Sequence, residues 1–537
     1  MRKGLIEKTY EWDLSAPPSQ LWPLLSDTAR LNEALDLPRY SISETFDSES
    51  LRRRYGEMIE DESRVRWEEP PFEWVENGWW RWRRFYDDGP LSETGGVLML
   101  VPGQKGGTHM HYTLSVDPRG AMGRMLVASG YVKQAARGFR KFTHEVDAFC
   151  RKPMGDFYSN YSAKTEKATP KPLPKVKGKE AELLTQFAQW LAVAPFADRV
   201  DLRSKRLARC LGVSHSEAFQ ACLTVVKSGD LVMRYRAVCP VCRASAIEVA
   251  ELKKIAALLA CRGCGAGYQR DLSNSIEVLF SVAGLSYSEA TYCGSGPSSS
   301  RHVAVQQNLG AMERRDLEHI FSAGVYVARA IDGPVSATFS AEQSTGAHVR
   351  LTDTEIVVLP LQGSTVIENH TKRPYAITVE RCDWPDDALP VSEALAERAL
   401  LDLLPAESLP DGDSASIGDG VILGIADLAK PLSTAHTATV IETEEGYVGL
   451  LAGSLERAVS LAEAIRKEHP EARFALDFGP LTIAMLSGRM RHIGTVPETA
   501  KSMCLGGHRG VVVVSPRMKD ALKSRGIGEP KALIDAG

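Results

Sequence analysis

No apolar run in this 537-residue chain approaches the roughly 18 residues needed to cross a bilayer. The longest candidates, around Val97–Val101 and Val511–Val514, read as strands, so no membrane span is expected. The opening Met1-Arg2-Lys3-Gly4-Leu5-Ile6-Glu7-Lys8 turns polar after two apolar side chains, so a secretory signal is not expected either. A charge excess of one sign is also missing. The 64 basic and 68 acidic residues leave a net charge of -4, and no global basic field argues for nucleic acid. Internal repeats and long low-complexity tracts are absent, which excludes solenoid and fibrous designs. What remains is ordinary globular material, 44% apolar and 25% charged, long enough for three or four domains. A cytoplasmic multidomain protein is expected.

Composition marks two junctions. Residues 151–180 carry eight Lys or Arg against three acids, with prolines at 153, 170, 172 and 174, the pattern of a stiff solvated linker. Residues 386–420 hold nine acids against one arginine, interrupted by Pro405, Pro410, Gly412 and Gly418.

Before the first linker, seven of the nine tryptophans fall within residues 12–82. Trp79-Trp80-Arg81-Trp82-Arg83-Arg84-Phe85-Tyr86 alternates aromatics with arginines, as a half-buried antiparallel strand does. Gly96–Val101 and His109–Leu114 read as further strands. One long amphipathic helix is expected to follow, with Met122, Met125, Leu126, Tyr131, Val132, Ala135, Phe139, Phe142, Val146 and Phe149 on one stripe. An early strand, the stretch Ala16–Asp27, sheet and then a long helix resemble the START-like helix-grip family, which includes polyketide cyclases and lipid-transfer domains. That resemblance implies a curved sheet round the last helix and a small apolar ligand as a candidate partner. Core packing is the simpler role for the aromatics.

Beyond the linker, Leu207-Ala208-Arg209-Cys210-Leu211-Gly212-Val213-Ser214 has the helix–turn–helix cadence: glycine permits the tight turn and serine caps the next helix. The start of that helix offers His215, Ser216, Glu217 and Gln220 and no positive charge, so base reading is not expected.

Ten cysteines include two Cys-x-x-Cys pairs, Cys239/Cys242 and Cys261/Cys264, with eighteen residues between them. This falls in the spacing window of a zinc ribbon, in which each tight knuckle presents two thiolates to one ion. Four sulfurs leave no open position for water, so the expected zinc is structural. A redox pair or unliganded thiols are the alternatives.

The order of Gly267–Leu272, Ile276–Phe280, Tyr292-Cys293-Gly294-Ser295-Gly296-Pro297 and His302–Gln307 behind the knuckles resembles an uncharacterised bacterial domain. That domain precedes class III adenylate/guanylate cyclase domains and follows START-like ones. The resemblance places a cyclase-like domain at residues 421–537. In the family, two aspartates hold two metal ions, magnesium or manganese, while an asparagine and an arginine orient the ribose and stabilise phosphate charge.

Here Ile425-Ala426-Asp427-Leu428 retains the first aspartate, but Lys430, Pro431 and Leu432 replace the phosphate-approaching positions. The second motif falls near Glu442-Thr443-Glu444-Glu445-Gly446. In that register Gly446 stands at the second metal position and Glu442 at the base-selecting lysine, while a one-residue slip offers Glu445. Glu498 and Ser502 replace the asparagine and arginine, and Arg491 the second base selector. One of six positions survives, and the acidic replacements repel a polyanionic substrate.

The expected fold is multidomain α+β. It comprises a START-like helix-grip domain (1–150), the basic linker (151–180), a winged-helix-like module (181–236), a zinc ribbon (237–272) and a β-sandwich-like section (273–385). An acidic junction (386–420) and a shortened ferredoxin-like cyclase-type domain (421–537) complete it. The expected role is a bacterial-type signalling scaffold with a non-catalytic cyclase domain that forms a homodimer or pairs with a true cyclase. The rivals are a cyclase completed by a partner chain and a lipid or polyketide carrier.

Overall fold

Alternating apolar and polar side chains give antiparallel strands wherever one sheet face is buried, and this chain uses that device repeatedly. A computed structural model describes residues 4–47, 52–60, 63–103, 106–153, 155–160, 179–241, 243, 245–261, 266–271, 275–285, 292–293, 295–331, 333, 335–385, 387–394, 400, 414–432, 438–444, 446–452, 454–486, 489–530 and 533–535. Within these the protein is mixed α/β, built on large antiparallel sheets.

A 12-stranded sheet starts at Ile6–Leu14 and passes through Thr108–Pro118, Leu91–Pro102, Trp79–Tyr86 and Glu73–Val75. It then continues into Val303–Leu309, Tyr375–Arg381, Gly324–Ala330 and Ser336–Ala341. The join is direct: Val75 pairs with Val305 and Trp74 with Gln306. Trp74 Nε1 donates to the Val303 carbonyl at 2.9 Å, and Glu76 N to Ala304 O at 2.8 Å. The N-terminal domain and the β-rich section therefore share one sheet. The β-rich section's second layer is a four-stranded sheet ordered Arg314–Leu317, Thr365–Asn369, Thr345–Leu351 and Ile356–Gln362. Phe321, Tyr326, Val349, Ile367 and Ile377 are buried between the layers.

The helix expected after the first sheet is two helices. Gly120–Ala128 and Tyr131–Arg151 are separated at Gly130, whose left-handed backbone (φ +91) stops the first. Met122 and Met125 are 71% and 72% exposed, so they do not join the buried stripe of Phe139, Phe142 and Val146. Aromatics fill that core: Tyr112 and Phe139 centroids lie 4.3 Å apart, Phe142 and Phe157 5.6 Å. Phe157 and Tyr158 thus belong to the first core although they lie in a Pro/Lys-rich stretch.

Helices Lys179–Val193, Phe196–Val200, Ser204–Leu211 and His215–Lys227 precede a three-stranded sheet ordered Ser245–Val249, Leu231–Val238 and Ile276–Val282. Gly212 takes φ +68, and Ser214 and Glu217 form a reciprocal capping box, as their sequence pattern requires. Ile276–Val282 pairs with Leu231–Val238 in continuous register, Ile276 with Ala237 to Val282 with Leu231. The segment carrying the four cysteines is consequently an insertion at the end of this hairpin.

In the last sheet, Ser414–Ala426 lies between Tyr447–Ala452 and Arg473–Leu486, with Thr439–Glu444, Val512–Val514 and Leu533–Asp535 outside them and Arg489–Ile493 paired to the long strand. Helices Leu455–Glu468 and Pro516–Ser524 bury against one face through Leu461, Ile465, Met518 and Leu522. On the other face Ile422, Leu451 and Val496 share a cluster with Phe219, Val391 and Leu400.

Candidate functional site

Asp427 follows directly on the central strand Ser414–Ala426. It adopts a left-handed conformation (φ +60), and its N–H donates to the Gly446 carbonyl at 3.0 Å. Gly446, itself at φ +80, turns the hairpin between Thr439–Glu444 and Tyr447–Ala452. The two positions that the cyclase resemblance assigns to metal ligands are thus neighbours, but only one bears a carboxylate. Glu445 lies outside the described residues, as does the Glu442 side chain.

A protein cation takes the place beside that carboxylate. Arg473 opens the strand Arg473–Leu486 opposite Ala426. Its Nε donates to Asp427 Oδ2 at 2.9 Å, and its Nη1 donates to the Leu505 carbonyl. Sequence reasoning missed Arg473 because it belongs to none of the family motifs. After Asp427, Leu428 and Leu432 turn inward to pack on the core, while Lys430 is exposed. Glu498 and Ser502 are both exposed on the helix Thr495–Gly506. Asp477 is buried some distance along the strand, held by Arg517 Nη2 at 2.6 Å and by the Ser515 hydroxyl that caps the last helix.

For the ribbon, Cys239 and Cys261 are buried in one small cluster with Tyr268, Val241, Leu259 and Ala266. Arg243 N donates to Cys239 O at 2.8 Å, so Cys239 starts a backbone turn, and Cys261 N donates to Ala266 O at 2.9 Å. The strands Leu258–Ala260 and Gly267–Gln269 pair as a hairpin next to that second bond. Cys242 and Cys264 lie outside the described residues. A pair of buried thiols at the starts of two knuckles is compatible with thiolate ligation of zinc.

Two features carry no sequence motif. A crevice of about 500 Å³ is lined by Thr28, Arg54, Arg203, Arg243, Tyr292 and Trp384 among others, and so by the N-terminal domain, the helical module, the ribbon and the segment before the second junction. On the opposite strand pair, register sets Glu11 against His111 and Asp13 against His109. Asp13 Oδ1 lies 2.7 Å from His109 Nδ1 and Glu11 Oε1 3.1 Å from His111 Nδ1. The Glu11, His109 and His111 ligand atoms are close enough to hold a metal ion.

No family model matches the chain. Nor does any curated protein sequence. Solved structures do align with part of it. A Thermus thermophilus protein covers 27% of this chain and 97% of its own at 20% identity (TM-score 0.19). An aromatase/cyclase from a Streptomyces species covers 28% and 94% at 11% identity (TM-score 0.20). The catalytic core of a rhodopsin-guanylyl cyclase covers 21% and 84% at 15% identity (TM-score 0.18).

Proposed function

We propose that this chain is a regulatory protein of the bacterial signalling type whose C-terminal domain is related to class III nucleotide cyclases but does not cyclise nucleotides. One observation carries the reading: the Arg473 guanidinium is hydrogen-bonded to Asp427, the sole retained metal-ligand position. Two-metal phosphoryl chemistry needs carboxylates that gather divalent ions beside the triphosphate. Among the described residues a glycine stands at the second position and a cation at the first, so magnesium or manganese does not fit. The domain then serves as a packing and interaction module, paired with itself or with a true cyclase.

The four knuckle cysteines, Cys239, Cys242, Cys261 and Cys264, are proposed to hold one structural zinc that closes the insertion at the end of the wing hairpin. When bound, zinc supplies a rigid tetrahedral crosslink and no open coordination site.

The test is cyclic AMP and cyclic GMP formation by the full chain with manganese and ATP or GTP. No product above a no-protein blank is expected, and R473A should not create activity because Gly446 at the second position offers no carboxylate. Robust turnover that D427A abolishes would overturn the proposal.

A further inference from the structure

Seven arginines and four carboxylates line the crevice between the N-terminal domain, the helical module and the ribbon. Its volume, about 500 Å³, suits a small molecule. Five of the arginines are matched by carboxylates. Arg30 and Arg206 meet Asp198, Arg203 and Arg301 meet Asp387, and Arg236 meets Asp201. Arg243 donates to the neutral Cys382 carbonyl and lies over the Trp384 ring at 4.5 Å. Burial pushes its guanidinium below the ordinary arginine range.

Arg54 differs from all of these. Among the described residues it makes no ion pair, and its Nε is buried without an acceptor. A guanidinium N–H withdrawn from water and left unbonded is costly, because the desolvation is not repaid by any partner. The position makes sense if an acceptor arrives from outside the chain. Arg54 also stands in the wall shared with a second cavity of about 640 Å³, together with Ser299, Ser300 and His302. Ser299 and Ser300 lie between the Tyr292–Pro297 and His302–Gln307 motifs, and His302 opens the second; the cyclase-like domain uses neither motif. Elsewhere in the crevice, Asp201 Oδ1 and Glu277 Oε2 are buried without donors. Its lining therefore lacks an acceptor at Arg54 and donors at the two acids.

We propose that the crevice binds a small phosphorylated, hydroxyl-bearing metabolite of the sugar-phosphate class, nucleoside monophosphates included. The phosphate accepts from Arg54 and the Ser300 hydroxyl, while ligand hydroxyls donate to Asp201 and Glu277. Phosphate suits this position because its oxygens only accept and match the planar guanidinium fork. Hydroxyls suit the acids because they donate without adding negative charge. This goes beyond the cyclase-related reading and does not depend on it.

Calorimetric titration of the full chain with ribose 5-phosphate, adenosine 5′-monophosphate and unphosphorylated ribose tests the proposal. Binding of at least one of the two phosphates is expected, with none for ribose. R54A and the milder R54Q should weaken binding roughly 10- to 100-fold, the range for losing a charged hydrogen bond. Both variants should melt no lower than wild type without ligand, since Arg54 has no partner to lose. Absence of binding by both phosphates, equal binding of ribose, or unchanged affinity in the variants would each overturn it. So would a lower ligand-free melting temperature in both variants, which would make Arg54 a structural residue.

Discussion

Replacing Asp198 by Ala tests whether the N-terminal domain and the helical module are energetically joined. Asp198 is 1% exposed, at the start of the short helix Phe196–Val200. It accepts from Arg206 Nε at 2.6 Å and Nη2 at 2.9 Å, and from Arg30 Nε at 2.9 Å across the domain boundary. Burial alone would raise the Asp198 carboxyl, but the Arg206 and Arg30 guanidiniums outweigh it and hold the group well below the usual carboxylate range. Removing the carboxylate takes the shared partner from two largely buried cations, leaving Arg30 with Asp27 and Arg206 with Asp156 at 3.1 Å, a change that costs about 3 kcal/mol, the low end for a broken buried pair. Removing the exposed Lys141–Glu145 pair, 3.9 Å apart, should cost under about 0.5 kcal/mol. Urea denaturation at neutral pH compares the two variants. Amide exchange in Thr28–Ala34 and Phe196–Val200 shows whether the loss is local to the junction. In a double-mutant cycle with R206A, coupling of about 0.5–3 kcal/mol is expected. Because the folded-state pKa is depressed, this stabilisation is complete above about pH 4, the unfolded value, and is lost as pH falls through the lower folded value. A D198A cost below about 1 kcal/mol with unchanged exchange would refute the reasoning.

Two further outcomes are expected. The full chain should carry one zinc that C239S and C261S each release, measured by elemental analysis in an H109A/H111A background so that the surface histidines contribute nothing. Retention of the metal by both cysteine variants would remove the ribbon assignment. Burial, with the nearby Arg381 charge adding to it, lowers His319 to about 4, and its Nε2 is buried without a partner. The folded chain thus resists protonation that the unfolded chain accepts near pH 6.5, so stability is complete above that pH. It should fall towards pH 4 by up to about 3 kcal/mol. H319F, which keeps the ring contact with Phe321 at 4.8 Å, should flatten that dependence; an unchanged slope in acid unfolding would show that another group is responsible.

Local features were legible in the sequence. The alternation of Trp79–Tyr86 gives its strand, and Gly212 with Ser214 gives the turn and capped helix. Non-local pairing was not legible. Trp74 bonds Val303 across 229 positions, and strand periodicity specifies a buried face but no partner. The helical stripe misled at Gly130 because apolar spacing continues across a break that only a left-handed glycine reveals. Composition marked solvated stretches at residues 151–180 and 386–420, yet Phe157, Tyr158, Asp387, Leu389 and Val391 within them are buried, since the charge of a stretch does not say which of its side chains dock on a core. Arg54 was invisible because lacking a partner is a property of the folded surroundings.

On the proposed cyclase-related reading, the pair at Asp427 is a former metal position that remains electrostatically consistent. A carboxylate at a strand end, with its backbone held in a left-handed turn, presents negative charge that a divalent ion would neutralise. Arg473 supplies one positive charge instead, from 46 positions away. The two side chains are 35% and 23% exposed, so solvent screening keeps the pair's contribution to stability within about 1 kcal/mol. Its consequence is for occupancy more than for stability. A cation approaching Asp427 must displace a guanidinium that is also anchored to the Leu505 carbonyl at the end of the neighbouring helix. Among the described residues, freeing Asp427 would leave a single carboxylate beside Gly446, whose carbonyl already accepts the Asp427 N–H. Divalent binding there needs both a second acid and removal of Arg473, so restoring either one by itself should leave the chain without cyclase activity.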